Sequence, residues 1–182
     1  MTVLATATAL SLTACSGPAP TDAAAVVKGH SISVSEVQKA AADIKISIGG
    51  DGTVSEPIVL EMLVLDPFLQ DLATKYNLSV SADDVKKGFS GKPANPSKGA
   101  IDAMHANMIL SKLQQLDATK AQQATTDLKA ALQDAKPGTI VVNPRYGSFD
   151  AHAKNFSLTN FYGPVTENWL DTANTGVLSG QP

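Results

Sequence analysis

Ile58-Val59-Leu60-Glu61-Met62-Leu63-Val64-Leu65 decides the fold. The stretch is apolar almost all round, and a helix of that kind is buried on more than one side. It needs neighbours to cover it, and the flanking sequence supplies them. Ser55 or Thr53 can cap its start, and Pro57 is tolerated in a first turn. Pro67 cannot donate to the helical ladder and should kink or break the helix near Leu65-Asp66. Helical spacing resumes at Phe68, Leu69, Leu72, Ala73 and Tyr76, with Asn77 as a left-handed C-cap.

Upstream, Ser33 with Glu36 three residues on makes a capping box. Val34, Val37, Ala41, Ile44 and Ile48 then form one amphipathic stripe, and Gly49-Gly50-Asp51-Gly52 ends it. Downstream, Ser81-Ala82-Asp83-Asp84-Val85 opens a short helix reaching about Lys87. Gly88 to Ser97 reads as a loop. Ser97 caps a long helix carrying Ile101, Met104, His105, Met108, Ile109, Leu113 and Leu116. Asp117 starts another, with Ala121, Ala124, Leu128, Ala131, Leu132 and Ala135, and Pro137-Gly138 stops it.

Two extended pieces bracket these helices. Val26-Val27-Lys28 leads into a turn at Gly29 and a return through Ile32. Thr139 to Asn143 is β-branched and reads as a strand. Strands at opposite ends of a helical domain satisfy their backbone groups by pairing. The expectation is a mainly α fold in which residues 26–28 pair with 140–142 in a small two-stranded sheet. Asn143-Pro144-Arg145-Tyr146-Gly147 follows as a turn.

Composition narrows the function. The chain has 182 residues, enough for one domain with a tail. A formal net charge of −3 excludes a generic nucleic-acid binder, which needs a basic footprint. One Cys excludes an intrachain disulfide and a Cys-rich zinc site, and three scattered His residues argue against a His-built metal centre. There is no P-loop, dinucleotide fingerprint or nucleophile elbow, so no cofactor and no catalytic centre are expected.

The N-terminal run from Val3 to Ala14 is apolar or small and uncharged. It is shorter than the ~20 residues a spanning helix needs and fits the h-region of a secretory signal. Leu12-Thr13-Ala14-Cys15 resembles the lipobox of bacterial lipoproteins, in which the chain is cut before the Cys and the Cys is lipidated. No Lys or Arg precedes Cys15, which points to a start codon further upstream. The expected organisation is a signal over 1–14, a flexible tether over 15–25, a helical domain over 26–147 and a tail over 148–182. In that tail Phe156, Phe161, Tyr162, Trp169 and Leu170 stand isolated; it is either poorly ordered or docked on a surface.

Four segments together resemble the N-terminal domain of SurA-type chaperones. They are Ala25-Val26-Val27-Lys28-Gly29-His30-Ser31-Ile32-Ser33, Val59-Leu60-Glu61-Met62-Leu63-Val64, Leu78-Ser79-Val80-Ser81-Ala82-Asp83-Asp84-Val85, and Asn143-Pro144-Arg145-Tyr146-Gly147. The last is similar to the closing segment of actinobacterial lipoproteins of this type. The resemblance implies assistance to protein folding outside the cytoplasm. SurA and the related foldase PrsA also carry parvulin prolyl isomerase domains. Here no inserted segment of about 90 residues could hold one, so isomerase activity is not implied.

The resulting expectation is a non-catalytic lipoprotein, anchored to the cell membrane through Cys15, that holds unfolded or extended polypeptides. The alternative is an adaptor docking one folded envelope protein. Met62, Leu65, Phe68, Met104 and Met108 are the candidate client contacts, because methionine suits promiscuous surfaces. Ordinary core filling is the competing explanation. His105 is either an acid/base group or a half-buried side chain with no partner nearby in sequence. Asp83-Asp84 serve either a metal or, more simply, a helix N-terminus. Arg145 either contacts a ligand or forks onto a carboxylate or a helix C-terminal carbonyl to hold its turn.

Overall fold

The structure is a computed structural model and describes residues 22–49, 54–136 and 138–146. The signal over 1–14, Cys15, most of the tether, Gly50 to Thr53 (with the alternative cap at Thr53), Pro137, Gly147 and the tail over 148–182 lie outside the described residues.

Chain order is β1 (Ala23–Val27), β2 (His30–Ser33), α1 (Val34–Ser47), α2 (Glu56–Lys75), α3 (Ala82–Gly88), α4 (Lys98–Gln114), α5 (Ala118–Gln133) and β3 (Ile140–Val142), closed by a 3₁₀ turn over Pro144–Tyr146. The fold is mainly helical with a small antiparallel sheet. The sheet has three strands rather than two, in the order β2-β1-β3. The expected pairing of the chain's two ends is present, with Ala25, Val26 and Val27 opposite Val142, Val141 and Ile140. The third strand is the return after Gly29. Lys28 at φ +49 and Gly29 at φ +82 make the two-residue turn with both φ values positive that matches strand twist, so β2 zips onto the free edge of β1.

β1 also begins earlier than the sequence suggests. Ala23, Ala24 and Ala25 were assigned to the tether on composition, yet all three are buried. Alanine's small side chain lets a strand lie close against helices, so an alanine run can be core as readily as linker.

Four of the caps follow the local chemistry, whereas Ser55 takes the N-cap position of α2 without a side-chain capping bond. The Ser33 hydroxyl accepts from the Glu36 N–H at 3.1 Å, and Ser97 and Asp117 cap α4 and α5 in the same way. Ser81 and Asp84 form a reciprocal capping box, which holds the Asp84 carboxyl below its usual range through its bonds with Ser81. At the end of α2, Asn77 sits at φ +53; its N–H reaches the Thr74 carbonyl, and the Leu78 N–H reaches Ala73 at 2.8 Å. This is the Schellman closure.

Pro67 does not end its helix. α2 runs from Glu56 to Lys75 through it. An interior proline costs ~3 kcal/mol or more, because the carbonyl four residues back loses its donor and meets the ring. Burial on both sides outweighs that cost. Val59, Leu60, Leu63, Val64 and Leu65 are buried before the proline, and Phe68, Leu69 and Leu72 after it. α2 is the central element and packs against α1, α4, α5 and β1. α4 crosses α1 at small residues: a Cβ on Gly99 would stand 3.0 Å from Glu36 Cγ and 3.3 Å from Ala40 Cβ. Among the described residues no helix is long and apolar enough to cross a membrane.

Candidate functional site

The five apolar candidates do not form an open surface. Met62, Leu65, Phe68 and Met104 are 2–3% exposed, and Met108 is half-buried. They fill the core. The two methionines of α4 lie under α3, where a Cβ added to Gly88 would meet Met108 Cε at 2.7 Å and Met104 Sδ at 3.1 Å. Phe68 is covered from the hairpin turn. Lys28 Nζ stands 4.5 Å from the ring centroid and donates to Asp71 Oδ2 at 3.0 Å. In this conformation the set is packed into the core and does not form an open methionine-lined groove. Mutual packing is enough to account for the helical stripe these residues share.

An open hollow of mixed polar and apolar lining does exist, between α4 and α5. It measures about 240 Å³. Buried Leu113, Ala124 and Leu128 make its floor, while Leu110, Ala118 and Ala121 line its sides. Gln114, Gln122 and Thr125 stand at the exposed rim, and no lining side chain carries a charge. Its cause is local. Ala118, Ala121 and Ala124 recur on the side of α5 that meets the leucines of α4, and methyl groups leave space that larger side chains would fill. The sequence marked Leu113, Ala121, Ala124 and Leu128 as helical stripes. Nothing in the spacing shows that two stripes meet imperfectly.

The polar groups near the core are tied into interhelical contacts. His105 Nδ1 lies 3.4 Å from Asp66 Oδ1, a partner that α2 brings to α4 across 39 positions of sequence. Burial raises the Asp66 carboxyl above its usual range, and the bond to His105 opposes that rise. Asp127 joins α5 to α2, accepting from Lys75 Nζ at 2.6 Å and from the Tyr76 hydroxyl at 2.7 Å. Those bonds lower its pKa to about 2. Among the described residues no three His, Cys, Asp or Glu side chains converge as a metal site.

Glu61 is different, and sequence reasoning passed over it inside the apolar run. It is 1% exposed, and its Oε2 has no hydrogen-bond partner. Burial alone raises its pKa to about 8. The one available signal was an acidic residue in a helix with no polar face.

The closing turn is tied to the fold through Asn143 and Tyr146, while the expected fork of Arg145 onto a carboxylate is absent among the described residues. Asn143 donates from Nδ2 to the Ala23 carbonyl at 2.9 Å and accepts at Oδ1 from the Arg145 N–H at 3.1 Å. Pro144 opens the 3₁₀ turn. Arg145 forms no ion pair among the described residues; its guanidinium lies 5.5 Å from the Tyr146 ring centroid. Tyr146 is buried and donates to Glu56 Oε2 at 2.9 Å, tying the C-terminal turn to the start of α2. Tyr146→Phe removes a hydrogen bond to a charged group and is expected to cost about 1.5–3 kcal/mol in a urea titration. An unchanged midpoint would show that the bond is not formed in solution.

No family model, curated protein or solved structure matches this chain.

Proposed function

We propose that the protein is a non-catalytic, extracytoplasmic lipoprotein, anchored through Cys15, that holds unfolded or extended polypeptide segments in the hollow between α4 and α5. The observation that carries this reading is the hollow's combination of size and lining. At about 240 Å³ it falls below the ~300–1,000 Å³ usual for small-molecule sites. It suits one large apolar side chain offered by an extended chain. Its uncharged amide and hydroxyl rim can meet the backbone beside that side chain without imposing a sequence.

The energetics favour transient holding. Burying one Leu or Phe side chain contributes about 1.5–3 kcal/mol, so each contact is weak and exchanges quickly. Tolerance of many sequences follows from shape and apolar area rather than directed bonds. The lipid anchor confines many such weak sites to one surface.

Leu110→Lys tests the site. A half-buried Lys at the wall of the hollow places a charge where an apolar side chain would insert, and a charge there costs far more than its contacts return. Suppression of the aggregation of reduced, unfolded lactalbumin is expected to fall at least several-fold, with the melting temperature little changed. Undiminished suppression would remove the hollow from the mechanism. Absence of suppression in the unaltered protein, together with tight capture of one folded envelope protein, would favour an adaptor instead. Intact mass of membrane-extracted protein checks the anchor: loss of residues 1–14 with added acyl mass is expected.

A further inference from the structure

Glu61 has no role in the hollow and no partner for Oε2, yet it lies at the centre of the fold. α2 carries it between α1, α4, α5 and β1. The charged groups on those elements are engaged elsewhere or do not perturb it. β1 has none. α1 carries Glu36, Lys39, Asp43 and Lys45, of which Asp43 accepts from the Ser97 N–H. On α4, Lys98 pairs with Asp102, His105 with Asp66, and Lys112 completes the set. On α5, Lys120 pairs with Asp117 and Asp127 with Lys75, leaving Lys129. Glu56, Asp66, Asp71 and Lys75 share α2 itself. None of these forms an ion pair with Glu61 among the described residues, and burial is the sole cause of its raised pKa.

A buried carboxyl in this setting is tolerated only while protonated. Once ionised it needs water or a cation beside it, and no described side chain forms an ion pair with it. The helix that holds it is also weakened two turns on. Pro67 has no N–H, so the Leu63 carbonyl, two residues after Glu61, lacks its helical donor. The charge and the fault flank Met62 and Leu65, and Phe68 follows directly. These are the apolar side chains that the closed fold hides.

We propose that Glu61 is an internal release: its ionisation loosens α2 from its neighbours and exposes Met62, Leu65, Phe68 and Met104 as a second holding surface for unfolded polypeptides. The holding part rests on the function proposed above; the opening part does not. The hollow between α4 and α5 then serves the closed state, and the methionine-rich core serves the open one.

The test compares the full chain with Glu61→Gln between pH 6 and pH 9.5. Gln is close in shape to the protonated acid and cannot ionise. Two readouts follow opening without a client: fluorescence of an apolar dye, and amide exchange of α2 measured for both chains at the same pH. Dye fluorescence of the unaltered chain is expected to rise several-fold with a midpoint near pH 8, while the variant stays flat. Holding of reduced, unfolded lactalbumin should rise in parallel, in the unaltered chain only. Equal dye and exchange profiles in the two chains would overturn the release. Opening that depends on Glu61 without any gain in holding would overturn the second surface, and Leu110→Lys at pH 6 judges the hollow independently.

Discussion

Glu61→Gln removes a slope from the pH dependence of stability: the unaltered chain loses roughly 5 kcal/mol between pH 4.5 and pH 8, and the variant does not. The sign follows from where the proton resides. In the unfolded chain the carboxyl ionises near 4.5, and in the fold near 8. Between those values unfolding releases a proton that the native state retains, so rising pH favours unfolding. The contribution is fully present below pH 4.5, falls through the interval, and changes no further above pH 8. At about 1.4 kcal/mol per unit, the interval gives the quoted loss as an upper figure, because local opening with water entry limits it. Asp127 acts in the opposite sense at the acid end: its stabilisation is present above the ordinary carboxylate range and is lost as pH falls toward 2. Subtracting the variant's urea profile from that of the unaltered chain cancels Asp127 and isolates Glu61. Parallel profiles would show that the carboxyl is solvated in the native state.

Phe68→Ala is expected to cost about 3–5 kcal/mol, the range for a buried aromatic ring cut to a methyl group. The ring is 3% exposed, and it also carries the Lys28 ammonium over its face. Its removal opens a cavity beside Pro67 and takes away the surface on which the β1–β2 turn rests. A typical domain has only ~5–15 kcal/mol in all, so the variant should be partly unfolded at 37 °C. The same substitution separates core from surface. Unchanged stability with weakened client holding would place the ring in an interface and overturn its assignment to the core.

Most of the fold was legible because its signals are local. Ser33, Ser81, Ser97 and Asp117 each cap the helix they introduce, and each needs only its own first turn. The pairing of the two end strands was legible through a longer argument, from backbone groups that had nowhere else to bond. Three features were not legible, each for a tertiary reason. Pro67 is a breaker by propensity, and burial of the flanking turns overrides it. Ala23 to Ala25 look like linker until helices are laid on them. The partnership of His105 with Asp66 exists only because α2 and α4 lie side by side. The candidate site was the least legible part. Methionine and phenylalanine at helical spacing have the same pattern in a core as in a groove, and the hollow arises where two acceptable stripes fail to fill the space between them.

The pairing of β1 with β3 also fixes how the domain bears load. Antiparallel register sets Ala25 opposite Val142, and Asn143 binds the backbone of Ala23 and Ala24, so the chain enters and leaves at neighbouring points. A pull applied between the two ends therefore peels the ladder one bond at a time instead of shearing all its bonds together. Peeling yields at low force, so traction between the two ends would part the terminal strands before it disturbs the helices.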